Sequence, residues 1–313
     1  MKKILFISRQ AERCGVADYG RRVNAVLDKS KLFDIYWREI NSPEEYNSVF
    51  NEVNPDLVLY NYYPVILPFI TNEFLENKRH IPHVVLYHEV GIAFTPDAII
   101  DVDSTLADHE EHKHYSVPRP LFNKFENDNT PTNNDIVTIG TFGFGFRDKN
   151  FPILAHLVCN QFDHAKIRIN TPYATFGDEH GQSAHAEVNK MREIIANSGK
   201  NIILEVNHDF LEHDTLLNFL RQNDINIFMY EPFNDRSLSG SIDYALSARR
   251  PIGISRSWMF RHINWVKPSI FVDETSIQEI INNGIESLKA IYEIHSETNL
   301  LNKYEYILNK ILN

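Results

Sequence analysis

The sequence predicts an α/β protein with two domains, each built on a parallel β-sheet. Short apolar runs alternate with segments whose apolar residues recur at helical spacing, a pattern typical of βαβ units. The chain has 313 residues, enough for two separate hydrophobic cores. Residues 123–135 are polar and lack apolar periodicity, as expected of a linker. We therefore predict domains over residues 1–130 and 131–313.

In the first domain, each predicted strand is a short apolar or β-branched run bounded by polar residues. These runs are 3–8, 33–40, 56–61, 83–88 and 96–101. Helices are predicted over 16–27, 43–53 and 65–77. The second of these helices has Ser42 as its N-cap and Pro43 at its first position, residue types that are favoured there.

The same alternation restarts after the linker. Predicted strands are 136–141, 166–170, 202–206, 225–230, 251–255 and 270–272. Predicted helices are 151–162, 184–197, 213–222 and 238–247, and helical sequence then continues almost to residue 313. Ligands of such sheets bind beyond the carboxyl ends of the strands. Two such domains place the expected site in the cleft between them.

The composition argues against several classes of function. Acidic residues outnumber Lys and Arg by 42 to 31, and the formal net charge of −11 disfavours nucleic acid and anionic lipid as general partners. Cys14 and Cys159 lie far apart in the sequence, which is typical of a reducing compartment rather than a disulfide framework. The first apolar run is too short for a signal peptide, and no run reaches the ~18 residues of a membrane span. We therefore expect a cytoplasmic protein.

Two turns that follow predicted strands contain glycine. In the first turn, Gly15 precedes a helix and would let backbone N–H groups approach an anion, although a plain strand-to-helix turn is the alternative. The second turn, GTFGFGFRDKN, contains Gly140, Gly143 and Gly145 and is read as a flexible loop. The cations that end it, Arg147 and Lys149, favour a diphosphate ligand over two merely solvated charges.

A third turn, after the predicted strand 225–230, leads into a helix through Ser239, Gly240 and Ser241. Serine hydroxyls and free N–H groups at a helix start can bind an anion. Asp243, in the first turns of that helix, could accept hydrogen bonds from a ribose diol. The alternatives are a simple N-cap for Ser239 and an acid that complements the helix dipole for Asp243.

These motifs resemble those of the retaining nucleotide-sugar glycosyltransferases of the GT-B fold, particularly family 4. The family's Glu-x7-Glu element corresponds here to Asp235 and Asp243, and its Gly-to-Lys spacing corresponds to Gly143 and Lys149. CGVADYGRRV is similar to the family's Gly-Gly-Val-Ala loop. The segment 87–89, Tyr-His-Glu, resembles the strand end that carries a His facing the acceptor.

The resemblance implies two Rossmann-like domains, with the acceptor on the first and the nucleotide sugar on the second, and retention of anomeric configuration. The resemblance implies that Lys149, Arg147 and the helix start at 239–241 stabilise the leaving diphosphate. It implies that Asp243 binds the ribose and that Asp235 orients the sugar. It also implies that His88 contacts the sugar or the acceptor. Glu231, at a strand end, is a rival to Asp235. The last helix, about 297–313, is expected to pack on the first domain.

The sequence departs from the family pattern at several positions. Both expected glutamates are aspartates, Phe144 replaces a phosphate-binding Arg, and Cys14 replaces the first loop Gly. These departures leave open a non-catalytic nucleotide-sugar-binding protein. A phage-type transferase that modifies a DNA base and a GT-B epimerase are further alternatives.

Two acidic motifs are weaker candidates for a metal site. HEEHKH, at 109–114, has loosely metal-like spacing, but a solvated loop or helix is favoured. Asp101 and Asp103 form a DxD, which holds a divalent metal in the other glycosyltransferase fold. Because the whole-chain pattern resembles GT-B, we expect no metal and no cofactor beyond the nucleotide-sugar donor.

Overall fold

The computed structural model describes residues 1–11, 14–88, 91–126, 130, 132–174, 177–234 and 236–313. The chain divides into two compact units. The first consists of Met1–Leu121 with Glu293–Asn313, and the second of Phe122–Tyr292. Among the described residues, no helix is both long enough and apolar enough to cross a membrane.

The first unit contains a six-stranded sheet in which every neighbouring pair is parallel. Its strand order is β2-β1-β3-β4-β5-β6. The strands are β1 (Lys2–Arg9), β2 (Phe33–Ile40), β3 (Leu57–Tyr62), β4 (His83–Tyr87), β5 (Ala98–Asp101) and β6 (His114–Ser116). The strand order reverses at β1, so the carboxyl ends of β1 and β3 lie where parallel sheets bind ligands.

Helices α1 (Gly15–Leu27), α2 (Pro43–Val53) and α3 (Asn72–Leu75) connect these strands. Ser42 caps α2 as predicted, because its side chain accepts a hydrogen bond of 3.2 Å from the backbone N–H of Glu45. The predicted helix over 65–77 is wrong in its first half, where residues 64–69 form turns. Pro64 and Pro68 lack the N–H groups that a helix needs, and the helix begins only after Thr71, which caps α3.

The second unit contains a parallel five-stranded sheet in the order β11-β10-β7-β8-β9. The strands are β7 (Thr138–Phe142), β8 (His164–Asn170), β9 (Asn201–Asn207), β10 (Ile225–Phe228) and β11 (Ile252–Ile254). The helices are α4 (Phe151–Gln161), α5 (Gln182–Ser198), α6 (His213–Arg221), α7 (Gly240–Ser247) and α8 (Ile277–Asn283). The unit boundary falls within α9 (Lys289–Ile294).

The final helix, α10 (Glu297–Leu312), belongs to the first unit. Its buried face contributes Leu300, Tyr304 and Ile307 to the core that also contains Ile4 and Phe6 of β1. The apolar residues of α10 recur three or four positions apart, so one stripe faces this core.

The predicted α/β class, with two parallel sheets, is confirmed. The strand predicted over 270–272 is wrong, because only Phe271 pairs there, in an isolated bridge to Ile254. Strand β6 was missed, since the charged run at 109–114 hides the three residues that pair with β5. Gly140 falls both in the predicted strand 136–141 and in the predicted flexible loop, and the structure places it inside β7.

Candidate functional site

The loop after β7 turns sharply at the carboxyl edge of the second sheet. Gly143 has φ +147°, a conformation that residues with a side chain rarely adopt. Its N–H donates a 3.0 Å hydrogen bond to the carbonyl of Asn170 at the end of β8. The chain then forms a short 3₁₀ helix, Arg147–Lys149. This path brings Lys149 back beside Gly143, with its Cδ and Cε 3.9 Å from the place where a Cβ of Gly143 would stand.

The ammonium group of Lys149 rests on an aromatic ring rather than on an acid. Its Nζ lies 3.7 Å from the ring centroid of Tyr230, which follows β10. In the part of the chain that the structure describes, no carboxylate lies within 4.0 Å of this nitrogen. The ring quadrupole orients the cation without neutralising it, so the charge is available to an anionic ligand.

Tyr230 also connects this lysine to the start of α7. Its hydroxyl shares a 2.7 Å hydrogen bond with Oγ of Ser241. The hydroxyl of Ser239 caps the helix by accepting a 3.3 Å hydrogen bond from the N–H of Ser241. A helix N-terminus carries partial positive charge. Lys149 and the first turn of α7, with Gly240 between the two serines, therefore present positive charge on either side of Tyr230.

Glu231 is held by the loops around it. Its backbone N–H donates to the carbonyl of Asp148 at 2.9 Å, and its carbonyl accepts a 2.8 Å hydrogen bond from Ser257. The hydroxyl of Ser255 likewise donates to the carbonyl of Tyr230 at 2.7 Å. The loops after β7, β10 and β11 are thus tied together, and the half-buried side chain of Glu231 lies in the loop that follows Tyr230.

The other predicted site residues of this unit do not contact Lys149, Tyr230 or Ser241 in any hydrogen bond or ion pair between described side chains. Asp235 lies outside the described residues. Asp243 is 0 % exposed in the first turn of α7, so ribose binding by its carboxylate stays a prediction. Arg147 is exposed on the 3₁₀ helix. Gly145 packs so tightly against α5 that an added Cβ would stand 2.2 Å from Cα of Ala184.

Tyr230 is the residue of this site that sequence reasoning missed. The available signal was its position, since it directly precedes Glu231 at the end of a predicted strand. Aromatic residues in that place are usually assigned to the core, and Tyr230 is indeed only 2 % exposed.

In the first unit, His88 follows β4 directly and is 9 % exposed. Its Nε2 lies 2.8 Å from Oδ1 of Asn61, and its ring meets Tyr19 edge-on at 5.0 Å. Burial, together with the positive charges of Arg119 and Arg22, lowers the pKa of His88 to about 3. The imidazole is therefore neutral at physiological pH.

Gly15 begins α1, and no heavy atom of the described residues lies within 4 Å of where its Cβ would be. No close approach of the folded chain therefore requires a glycine at this position. Cys14 precedes it as the N-cap residue but makes no capping hydrogen bond with its side chain. Glu89, the third residue of the Tyr-His-Glu segment, lies outside the described residues.

The DxD carboxylates are engaged in local contacts. Asp101 accepts a hydrogen bond from His114, and burial raises the pKa of Asp101 although His114 opposes this effect. Asp103 accepts hydrogen bonds from the N–H and the hydroxyl of Thr105, at 2.9 and 2.7 Å. Within the described ranges, no group of three or more His, Cys, Asp or Glu side chains is arranged to hold a metal ion.

No protein-family model matches this sequence, and no curated protein matches it. Solved structures do match its fold. HepE from Anabaena, in complex with UDP and glucose, has a TM-score of 0.61 at 10% identity, covering 99% of this chain and 100% of its own. AviGT4, a glycosyltransferase of avilamycin A biosynthesis, has a TM-score of 0.60 at 10% identity, with coverage of 100% and 98%.

The lipopolysaccharide outer core galactosyltransferase WaaB has a TM-score of 0.56 at 11% identity, with 99% of both chains covered. At these identities the likeness concerns the fold alone. It confirms the predicted fold of two Rossmann-like domains, the GT-B fold that these proteins share. Membership of family 4 stays a prediction.

Proposed function

We propose that this protein is a glycosyltransferase that moves a sugar from a nucleoside-diphosphate sugar to a hydroxyl group of a glycan, a lipid-linked or a small-molecule acceptor. The observation that carries the proposal is the Lys149–Tyr230–Ser241 arrangement at the carboxyl edge of the second sheet. It places the Lys149 ammonium group, which no described carboxylate neutralises, near the N-terminus of α7. A cation and free helix N–H groups are the donors that bind a diphosphate. Structures of the same fold belong to glycosyltransferases, and HepE was solved with UDP.

In this reaction the bond between the anomeric carbon and the diphosphate oxygen breaks, and negative charge develops on the leaving diphosphate. Donors that already point at that charge stabilise the transition state without reorganising. Lys149 is held in place by Tyr230, so it can serve in this way. Arg147 and the N–H groups of α7 are the further donors we assign.

The other roles follow from position and from the resemblance. Glu231 or Asp235 would hold sugar hydroxyls and orient the anomeric carbon. The first unit would bind the acceptor, and His88 would contact sugar or acceptor there. We assign retention of configuration, which is what the resemblance to family 4 implies.

Replacing Lys149 with alanine should weaken nucleoside-diphosphate binding by roughly 1.5–3 kcal/mol, the range for a charge-assisted hydrogen bond. Binding of the free nucleoside should be nearly unchanged, because only the diphosphate meets this cation. The measurement is calorimetric titration with the diphosphate selected by a thermal-shift screen that starts with UDP, since ligand binding raises the melting temperature.

Lys200→Ala is the matched control. It removes the same charge from the same unit, but Lys200 precedes β9 at the opposite edge of the sheet and pairs with Asp163. Its diphosphate affinity should equal that of the wild type. Equal affinities for wild type and Lys149→Ala would remove Lys149 from the site, and the lack of any nucleotide ligand would refute the proposed function.

We further propose that transfer requires no metal ion, because the assigned phosphate site consists of cations and backbone donors. Donor turnover should therefore persist in EDTA at the rate seen without chelator. The measurement is release of the nucleoside diphosphate with and without EDTA. Loss of turnover that manganese or magnesium restores would contradict this assignment and direct attention to Asp101 and Asp103.

A further inference from the structure

The side chain of Asn61, at the end of β3, has its orientation fixed by two hydrogen bonds. Its Nδ2 donates to Oγ of Ser8 at 2.9 Å and to the carbonyl oxygen of Val16 at 2.6 Å. A carbonyl oxygen can only accept a hydrogen bond, so the atom facing Val16 must be the amide nitrogen. Asn61 is fully buried, and both of its N–H groups are used.

The remaining amide oxygen then determines which nitrogen of His88 carries the proton. Oδ1 of Asn61 lies 2.8 Å from Nε2 of His88, and an amide oxygen cannot donate. Nε2 must therefore be the N–H nitrogen. In a neutral imidazole the other nitrogen, Nδ1, has a free lone pair, and no described residue donates a hydrogen bond to it.

The surroundings of the ring keep it neutral. Arg119 and Arg22 are the charged groups that act on it, and both disfavour a third positive charge nearby. Tyr19 of α1 packs edge-on against the ring. The imidazole thus has the same protonation state throughout the physiological pH range.

Gly20 of helix α1 packs closely against the Asn61 amide. A Cβ at Gly20 would stand 2.5 Å from Nδ2 of Asn61 and 2.9 Å from its Cγ. Only glycine leaves room for the amide in its present orientation. The position of Asn61 is therefore fixed by packing as well as by hydrogen bonds.

We propose that Asn61 is a positioning residue that fixes His88 as the Nε2-protonated neutral tautomer, so that Nδ1 accepts a hydrogen bond from a substrate hydroxyl. The second half of this inference rests on the proposed function. It restricts the ligand chemistry at this point to a hydrogen-bond donor, such as a sugar or acceptor O–H. A substrate analogue with an ether or a fluorine in place of this hydroxyl cannot donate a hydrogen bond to Nδ1 of His88. It should therefore bind less tightly or react more slowly than the substrate.

The tautomer is measured by long-range ¹H–¹⁵N correlation spectra of the uniformly ¹⁵N-labelled protein. We expect Nε2 of His88 to resonate as a protonated nitrogen and Nδ1 as an unprotonated one, with no change between pH 8 and pH 5. In Asn61→Ala, the ¹⁵N chemical shifts of Nε2 and Nδ1 of His88 should both move towards the average of the values for the two tautomers. Asn51→Ala, an exposed amide on α2, is the control and should leave the His88 signals unchanged.

Gly20→Ala provides a second perturbation if Asn61→Ala does not fold. It removes no hydrogen-bonding group, yet it displaces Asn61 and should also mix the tautomers. Gly15→Ala, in the same helix but with open surroundings, should not. A wild-type ring protonated at Nδ1, a cationic ring, or unmixed tautomers in both perturbing variants would overturn the proposal.

The kinetic consequence separates positioning from general stability. Asn61→Ala should lower kcat/KM for transfer at least tenfold and leave the Kd of the nucleoside diphosphate unchanged. An unaltered kcat/KM would overturn the positioning role. If the wild-type protein transfers no sugar, the proposed function fails, and the spectra alone then decide whether Asn61 fixes the tautomer.

Discussion

Replacing Gly140 with alanine should lower the free energy of unfolding of the second unit by about 4 kcal/mol, well above the usual effect of adding one methyl group to a core. Gly140 lies inside β7, where an added Cβ would stand 1.9 Å from Nδ2 of Asn223 and 2.5 Å from Oδ1 of Asn226. Neither asparagine has any exposed surface, so neither can move towards solvent.

The cost is large because these amides form a closed hydrogen-bond network. Asn223 donates to the carbonyl of Phe219 at 3.1 Å and to Oδ1 of Asn226 at 2.9 Å. Asn226 donates to the carbonyl of Leu220 at 3.1 Å. Displacing one amide leaves buried donors and acceptors unpaired, at about 1–3 kcal/mol each.

Urea denaturation of the variant, followed by a probe in the second unit, measures this effect. Gly91→Ala is the control for a glycine replaced in the first unit, where no described heavy atom lies within 4 Å of the added Cβ, and it should leave the unfolding of the second unit unchanged. In the double variant Gly140→Ala/Asn223→Ala, the two costs should not add, since the methyl group enters space that the missing amide leaves. A Gly140→Ala protein as stable as the control would mean that β7 does not pack as described.

Acidification should destabilise the first unit by about 4–5 kcal/mol between pH 7 and pH 3 through His88 alone. The pKa of His88 falls from the usual 6.5 to about 3 in the folded protein. His88 therefore binds a proton below about pH 6.5 in the unfolded chain, but only below about pH 3 in the folded chain. Stability conferred by the neutral ring is present above pH 6.5 and is lost as pH falls through this window.

The comparison of wild type with His88→Gln isolates this contribution. Between pH 6 and pH 4, the free energy of unfolding of the wild type should fall by about 1.4 kcal/mol per pH unit more steeply than that of the variant. His83, whose pKa is also lowered by burial, is present in both proteins and cancels. Parallel pH profiles would show that His88 titrates normally and is not enclosed as described.

Much of the fold could be predicted because, along most of the chain, the apolar periodicity and the turn and capping residues indicate the same element boundaries. The predicted bounds of β2 and α2 match those observed. Predictions failed where tertiary pairing overrides a weak local signal. Strand β6 contains only His114–Ser116 and exists because β5 offers it a partner.

The site residues stay predictions, and the sequence supplies only some of the neighbours that the structure brings together. It points to the loop that carries Gly143 and Lys149 and to the serines that open α7. It did not reveal that Tyr230 joins them or that Asn61 orients His88, because both contacts join residues far apart in the chain. It also gave no sign that Asp243 is enclosed, since an acid in the first turn of a helix has the same local pattern whether exposed or buried.

We propose above that the donor diphosphate binds at the start of α7 beside Lys149. The most direct measurement is a crystal structure of the protein with the nucleoside diphosphate selected by the screen. We expect phosphate oxygens within about 3 Å of Nζ of Lys149 and of the N–H groups at the start of α7. A diphosphate bound elsewhere, with Lys149 still on the ring of Tyr230 and distant from any phosphate, would contradict the claim.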